Sequence, residues 1–150
     1  MIRKAIIKDV PKVSEWMDLA TLARLEITSE DSEHPIEFAL NADNKFWRAA
    51  EDGEQTIRVL FDAPQNISRI SLLFEENTVS RTQQFSLSWQ RVGEASVELV
   101  RQQFNFSPPG TTQEREDYKF SLEQVSVLEL VITPDVGKPA RASLTHLLVK

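Results

Sequence analysis

The chain is expected to fold as an all-β, antiparallel sandwich or jelly roll with at most one short N-terminal helix. Three observations lead there. Roughly six to eight short segments alternate apolar and polar residues with a period of two, turn-forming clusters separate them, and sustained helical periodicity is nearly absent. A closed barrel is the competing architecture. One domain spans residues 1–150, with residues 1–22 as an N-terminal extension packing on it. At this length roughly two thirds of the unfolded surface can be buried, so a core forms without a metal or disulfide staple.

The first segment, VPKVSEWMDLATLARLEITSED, opens with an N-cap candidate at Ser14 and places Trp16, Leu19, Ala20 and Ala23 near helical spacing. From Ala23 the period changes to two, with Ala23, Leu25 and Ile27 against Arg24, Glu26 and Thr28, so a strand is expected to end in the polar loop Ser29 to Glu33. His34 and Pro35 then precede a short apolar turn, Ile36 to Leu40. After a polar loop comes Trp47, and then two strands: Ile57, Val59 and Phe61 share one face, and Ile70, Leu72 and Phe74 repeat the pattern. Between them Asp62 to Asn66 carries Pro64, which cannot donate to a central ladder, so a turn is expected there.

Further strands are expected at Gln84 to Trp89, Ala95 to Phe106, Tyr118 to Leu122, Val127 to Thr133 and Leu144 to Val149. Within Ala95 to Phe106 the phase shifts: Val97 and Leu99 lie on one parity, Val100, Phe104 and Phe106 on the other. A bulge near Val100 to Gln103 reconciles them.

Composition narrows the function classes. With 17 basic and 23 acidic side chains the formal charge is -6, and the arginines are scattered singly, so no partner is expected among nucleic acids or anionic membranes. The chain has no cysteine and only His34 and His146 as imidazole ligands, far apart, so no transition-metal site is expected. Charges interrupt Met1 to Val10, which is no leader core, and no apolar run is long enough to cross a bilayer, so a cytoplasmic location is expected. There is no G-x-S-x-G elbow, no Gly-rich phosphate loop and no His-Glu-x-x-His. Adjacent acids such as Glu30 with Asp31, or Glu51 with Asp52, point to opposite sides of an extended chain and do not face each other. The chain is therefore not expected to be an enzyme.

The order of landmarks resembles the discoidin-like domains, also called coagulation-factor C-type or galactose-binding-like domains. LEITSED is similar to a first strand ending in a Thr/Ser-rich loop, and IEFALNADNKFWRAAEDGEQTIRVLFDAPQNISRISLLF to a short turn, a tryptophan and a strand of the type I-x-V-x-F. QQFSLSW and VLELVITPDVGKPARASLTHLLVK look like that family's later strand and its ending, so the similarity runs from about Ala23 to the C-terminus. Two departures bear on calcium: Asn41 and Ala42 stand where that family has Asp-Gly, and His146 near a late glutamate of its carbohydrate binders. Losing carboxylate oxygens weakens a structural calcium site, although Asn41, Asp43 and main-chain carbonyls leave a remnant, and no bound cofactor is expected.

The resemblance implies a non-catalytic module that binds a carbohydrate or glycan through loops at one end of the sandwich. The alternative is an intracellular protein-interaction module that keeps the fold without the sugar site. Sugar binding needs an aromatic face for the pyranose C–H patch and a few fixed polar groups for its hydroxyls. Trp47 stands just before a strand, where the resemblance implies a packing residue, and Trp89 continues the apolar parity of Phe85 and Leu87, so both are expected to pack; Trp16 lies outside the resembling stretch. Polar candidates remain in the loops: His34 as a hydroxyl donor, Arg81 as a paired donor or a partner for Glu75 or Glu76, and more weakly Arg48 and Arg115, the last in the acidic loop SPPGTTQERED.

Overall fold

The computed structural model describes residues 2–5 and 16–150. Ser14 and most of the stretch from Met1 to Val10 lie outside the described residues. One helical turn, α1 (Leu19–Leu22), follows Asp18 and leads directly into β1 (Ala23–Ile27). A 3-10 helix at Ile36–Ala39 fills the expected apolar turn, and then come β2 (Trp47–Asp52), β3 (Gln55–Glu75), β4 (Arg81–Arg91), β5 (Val97–Phe106), β6 (Gln113–Thr133), β7 (Arg141–Leu144) and β8 (His146–Val149). All registered pairings are antiparallel.

Two strands are longer than their patterns predict. Gln55–Glu75 and Gln113–Thr133 are each continuous over 21 residues, where two shorter strands were expected in each case. The first half of β3 pairs with the second half of β6 (Ile57 opposite Leu130), and its second half with the first half of β6 (Leu72 opposite Glu116). Between them the register breaks at Leu60/Gln65, Gln65/Ile67 and Ile67/Arg69. Pro64 falls in the first of these breaks, exposed beside Asp62 and Ala63, where no ladder partner asks for the missing N–H. The proline segment is thus a bend within one strand rather than a turn between two. Gln124 marks the matching point in β6, at φ 57 with its N–H donating to Asn66 Oδ1 at 3.1 Å.

That bent ribbon builds both layers. In one half it is flanked by β1 and β4, with β5 beyond, giving a five-stranded layer in the order β1-β3-β6-β4-β5; in the other it carries β8 on β3. Parity shifts across the bend, so Ile57, Val59 and Phe61 before it and Ile70, Leu72 and Phe74 after it all enter one core. Phe74 and Phe85 stack across the interior with centroids 5.4 Å apart. Leu128, Leu130 and Ile132 of β6 alternate into the same core. Leu19 seals it from the N-terminal side, and the Met17 N–H donates to the Val149 carbonyl at 2.7 Å. A small ribbon, β2 with β7, completes the structure.

Trp47, at the start of β2, is fully buried and its Nε1–H donates to the Ser29 carbonyl at 3.1 Å. It packs, as its position implied. In β5 the extra residue is Leu99, since Val100 faces Leu87 while Glu98 faces Ser88. The bulge therefore lies one residue before the expected segment, and it brings Phe104 and Phe106 to the inner side.

Candidate ligand-binding site

The loop between β1 and β2 is built from side chains that cap main-chain groups. Ser29 Oγ donates to Gln55 Oε1 at 2.7 Å and accepts from the Ala50 N–H at 3.0 Å, and the Ile36 N–H donates to Glu30 Oε2 at 2.9 Å. The Glu33 N–H donates to Asp31 Oδ1 at 3.0 Å. The loop then lies along β2: the Asp31 N–H donates to the Arg48 carbonyl at 2.8 Å, and the Arg48 N–H to the His34 carbonyl at 3.1 Å. His34 and Arg48, far apart in sequence, are held side by side by the main chain.

Alternation along β2 decides what joins them. Trp47 points inward, so its neighbours Phe46 and Arg48 point away from the core. The Phe46 ring stacks on His34 at 4.2 Å between centroids, with 14° between planes. Beside them Lys45 Nζ sits 4.8 Å over the Phe38 ring. His34 and Phe46 are half-buried and Arg48 is exposed. Neither the His34 ring nitrogens nor the Arg48 guanidinium makes a hydrogen bond or ion pair among the described residues. Chemically this is an aromatic surface bordered by unspent donors on a rigid frame. Phe46 and Phe38 went unnoticed in the sequence, although Phe46 is legible from Trp47 by parity.

Arg81 belongs elsewhere. It is 5% exposed: its Nε–H donates to Glu76 Oε1 at 2.8 Å, its Nη1 to Gln83 Oε1 at 2.9 Å and to the Pro134 carbonyl at 2.7 Å, and the guanidinium lies 4.6 Å from the Phe106 centroid. The structure therefore holds Arg81 within a buried polar cluster, apart from His34 and Arg48, with Nε and Nη1 engaged inside the protein. Glu76 in turn accepts from the Thr78 N–H at 3.1 Å, fixing the loop before β4. Burial works to raise the Glu76 carboxyl, but the Arg81 guanidinium and the Thr78 N–H outweigh it and hold the group below its ordinary value.

The polar cluster continues inward. Gln83 Nε2 donates to Glu114 Oε1 at 3.0 Å, while Glu114 Oε2, on a side chain 1% exposed, meets no donor among the described residues. Burial, and then the Glu116 carboxyl beside it, push Glu114 up to about 8 against the opposing pull of Gln83 and Arg81. Burial and the neighbouring carboxyl thus favour the protonated form of Glu114.

Arg115 does not lie in a loop, because the loop ends at Thr112 and β6 begins at Gln113. It is exposed on the face opposite Glu114 and opposes Leu73, whose other flank carries His146. The acids beside it in sequence are engaged elsewhere: Glu114 is turned inward, Glu116 accepts from Tyr118 Oη at 3.1 Å, and Asp117 accepts from Arg69 Nε at 2.8 Å. His146, near the expected calcium position, lies 3.2 Å from Ser71 Oγ. Asn41 Oδ1 accepts from the Asp43 N–H at 3.1 Å, and among the described residues no three His, Cys, Asp or Glu gather as a metal site.

Two layers sharing one bent ribbon form an antiparallel β-sandwich with the galactose-binding-like, or discoidin-like, fold. Solved structures bear the fold out. A family 32 carbohydrate-binding module of NanJ from Clostridium perfringens, solved with galactose, superposes with a TM-score of 0.63 at 13% identity, covering 85% of this chain and 92% of that one. A third family 32 module from a family 31 glycoside hydrolase of the same organism gives 0.63 at 16% identity, covering 89% and 93%. The family 32 module of AlyQ, in complex with 4,5-unsaturated mannuronic acid, gives 0.57 at 18% identity, covering 86% and 95%. No family model and no curated protein matches the sequence. The likeness is one of fold.

Proposed function

We propose that this protein is a non-catalytic glycan-binding module whose ligand rests on the loop end formed by His34, Phe46 and Arg48. The observation that carries this reading is the His34–Phe46 stack at 4.2 Å, flanked by an exposed guanidinium without a partner among the described residues. A pyranose ring lays its C–H face on such a surface, and the imidazole and guanidinium donate to hydroxyls around its edge. The frame beneath is rigid, so little ordering is lost on binding. Support from outside the chain comes from neighbours of the same fold solved with galactose and with an unsaturated mannuronic acid.

The test is a glycan array followed by titration calorimetry on the strongest hit. His34→Ala, Phe46→Ala and Arg48→Ala are each expected to weaken binding tenfold or more, about 1.4 kcal/mol, with melting temperature unchanged. Full affinity in all three variants would remove the site from this loop. Silence across the array, with a protein partner co-purifying in stoichiometric amount, would favour the protein-interaction alternative.

A further inference from the structure

A strand edge left unpaired invites another strand, and proteins blunt such edges by shortness, charge or proline. β1 has 5 residues and carries Arg24 and Glu26, and β8 has 4. The half of β6 that pairs only with β3 carries Glu114, Arg115, Glu116, Asp117 and Lys119. β5 is different. It ends the five-stranded layer on the side opposite β1, runs for 10 residues, and from Val100 to Phe106 reads VRQQFNF, with no proline, no glycine and Arg101 as its one charge. Even that charge is answered within the strand, since Arg101 Nη2 donates to Glu98 Oε1 at 2.7 Å. The Leu99 bulge lies before this stretch, so the register from Val100 to Phe106 is regular.

We propose that two copies of this chain pair through β5, antiparallel about a two-fold axis at Gln102, joining their five-stranded layers into one continuous sheet. The strand's own sequence selects both the occupant and the register. Opposed residues of an antiparallel pair share a face, so a two-fold axis perpendicular to the sheet sets one residue against its own copy. An axis at Arg101 would oppose guanidinium to guanidinium, one at Gln103 would oppose Phe104 to Gln102, and one at Phe104 would carry Arg101 past the end of the strand. At Gln102 amide meets amide, Val100 of each copy meets Phe104 of the other, and Arg101 meets the amide oxygen of Gln103. Apolar faces apolar and no like charges are opposed. Val100 and Phe104 are half-buried where the layer ends, packed against the core, and Arg101 and Gln103 are exposed on the outer side. A second copy covers the part of each apolar side chain that a single chain leaves in water.

Sedimentation velocity of the full chain over a concentration series tests this, with monomer expected to give way to dimer. Gln103→Glu sets a carboxylate against Arg101 of the other copy and is expected to tighten the dimer about threefold or more; Gln103→Lys is expected to weaken it by the same factor. Both act on an exposed side chain, and symmetry makes each change twice. Should either variant fail to fold, the register is read by cysteine, of which the chain has none. Gln102→Cys is expected to give a disulfide-linked dimer in air, because directly opposed Cα atoms lie about 4.5–5.5 Å apart. Asn105→Cys, about 20 Å from its own copy in this register, is not. Amide exchange in β5, fast in the dilute monomer, is expected to slow as the protein is concentrated. A monomer at every concentration overturns the proposal. So does a dimer indifferent to the charge placed at residue 103, or one that links through residue 105 as readily as through residue 102.

Discussion

Glu114 lends the protein a pH dependence whose sign follows from its burial. Its carboxyl is raised from 4.5 to about 8 in the folded state, mainly because burial disfavours the anion. Below about pH 4.5 the group is neutral folded and unfolded and its contribution is fully present; as pH rises toward 8 the unfolded chain ionises first, and stability is lost through that window. Glu114→Gln is therefore expected to flatten the fall in urea-unfolding stability across this range, and an unchanged slope would place the titrating group elsewhere. His146 titrates in the opposite sense, held below 6.5 first by burial and then by the Arg115 charge. Arg115→Ala should move its NMR titration midpoint upward, and no movement would mean that the two do not sense each other. What the sequence revealed at this scale depended on how far a pattern was extended. Trp47 was legible as a packing residue, and His34 as a loop residue, though not its stacking on Phe46. Arg81 was not recognised as buried because its strand was started at Gln84; carried back from Leu87 and Phe85, the same parity takes in Gln83 and Arg81. Arg115 was misplaced for the same reason, since Tyr118 parity continues back through Glu116 to Glu114 and turns Arg115 outward.

At the scale of elements, alternation located the strands of the main sheet but not their continuity, and it missed the short ribbon of β2 and β7. Periodicity resets at a bulge as it does at a turn, and Pro64 and Asn66 are turn residues by any local measure. Only the partner strand tells the two apart: Gln65 still pairs with Val125, so the chain goes on in the same direction. The bend leaves one residue in an unfavourable conformation, Gln124 at φ 57, where glycine carries no Cβ penalty. Gln124→Gly is expected to raise unfolding stability by up to about 1 kcal/mol. A loss of stability would show that Gln124's side chain contributes more than its backbone costs. The Leu99 bulge was readable because both parities of β5 carry large apolar residues, a mixture that an uninterrupted strand on a half-exposed sheet does not produce.

For the molecule as a whole, the class of fold was accessible from spaced strands and few helical signals, whereas the layering was not. It depends on which strands pair, and the pairs here join residues as distant as Ile57 and Leu130. The proposed loop surface inherits its shape from that arrangement, because β1 and β2 are fixed around Trp47. Hydrogen exchange should be slowest in the paired amides of β3 and β6 and fastest in the outer strand β5; uniform protection, or early loss in β3, would contradict the arrangement. The bent ribbon has a mechanical consequence as well. Because the same two strands belong to both layers, the layers are joined as two covers are joined by a spine, and they can open only along the side away from it. Any breathing motion then pivots about residues 60–67 and 122–125, where both strands cross from one cover to the other.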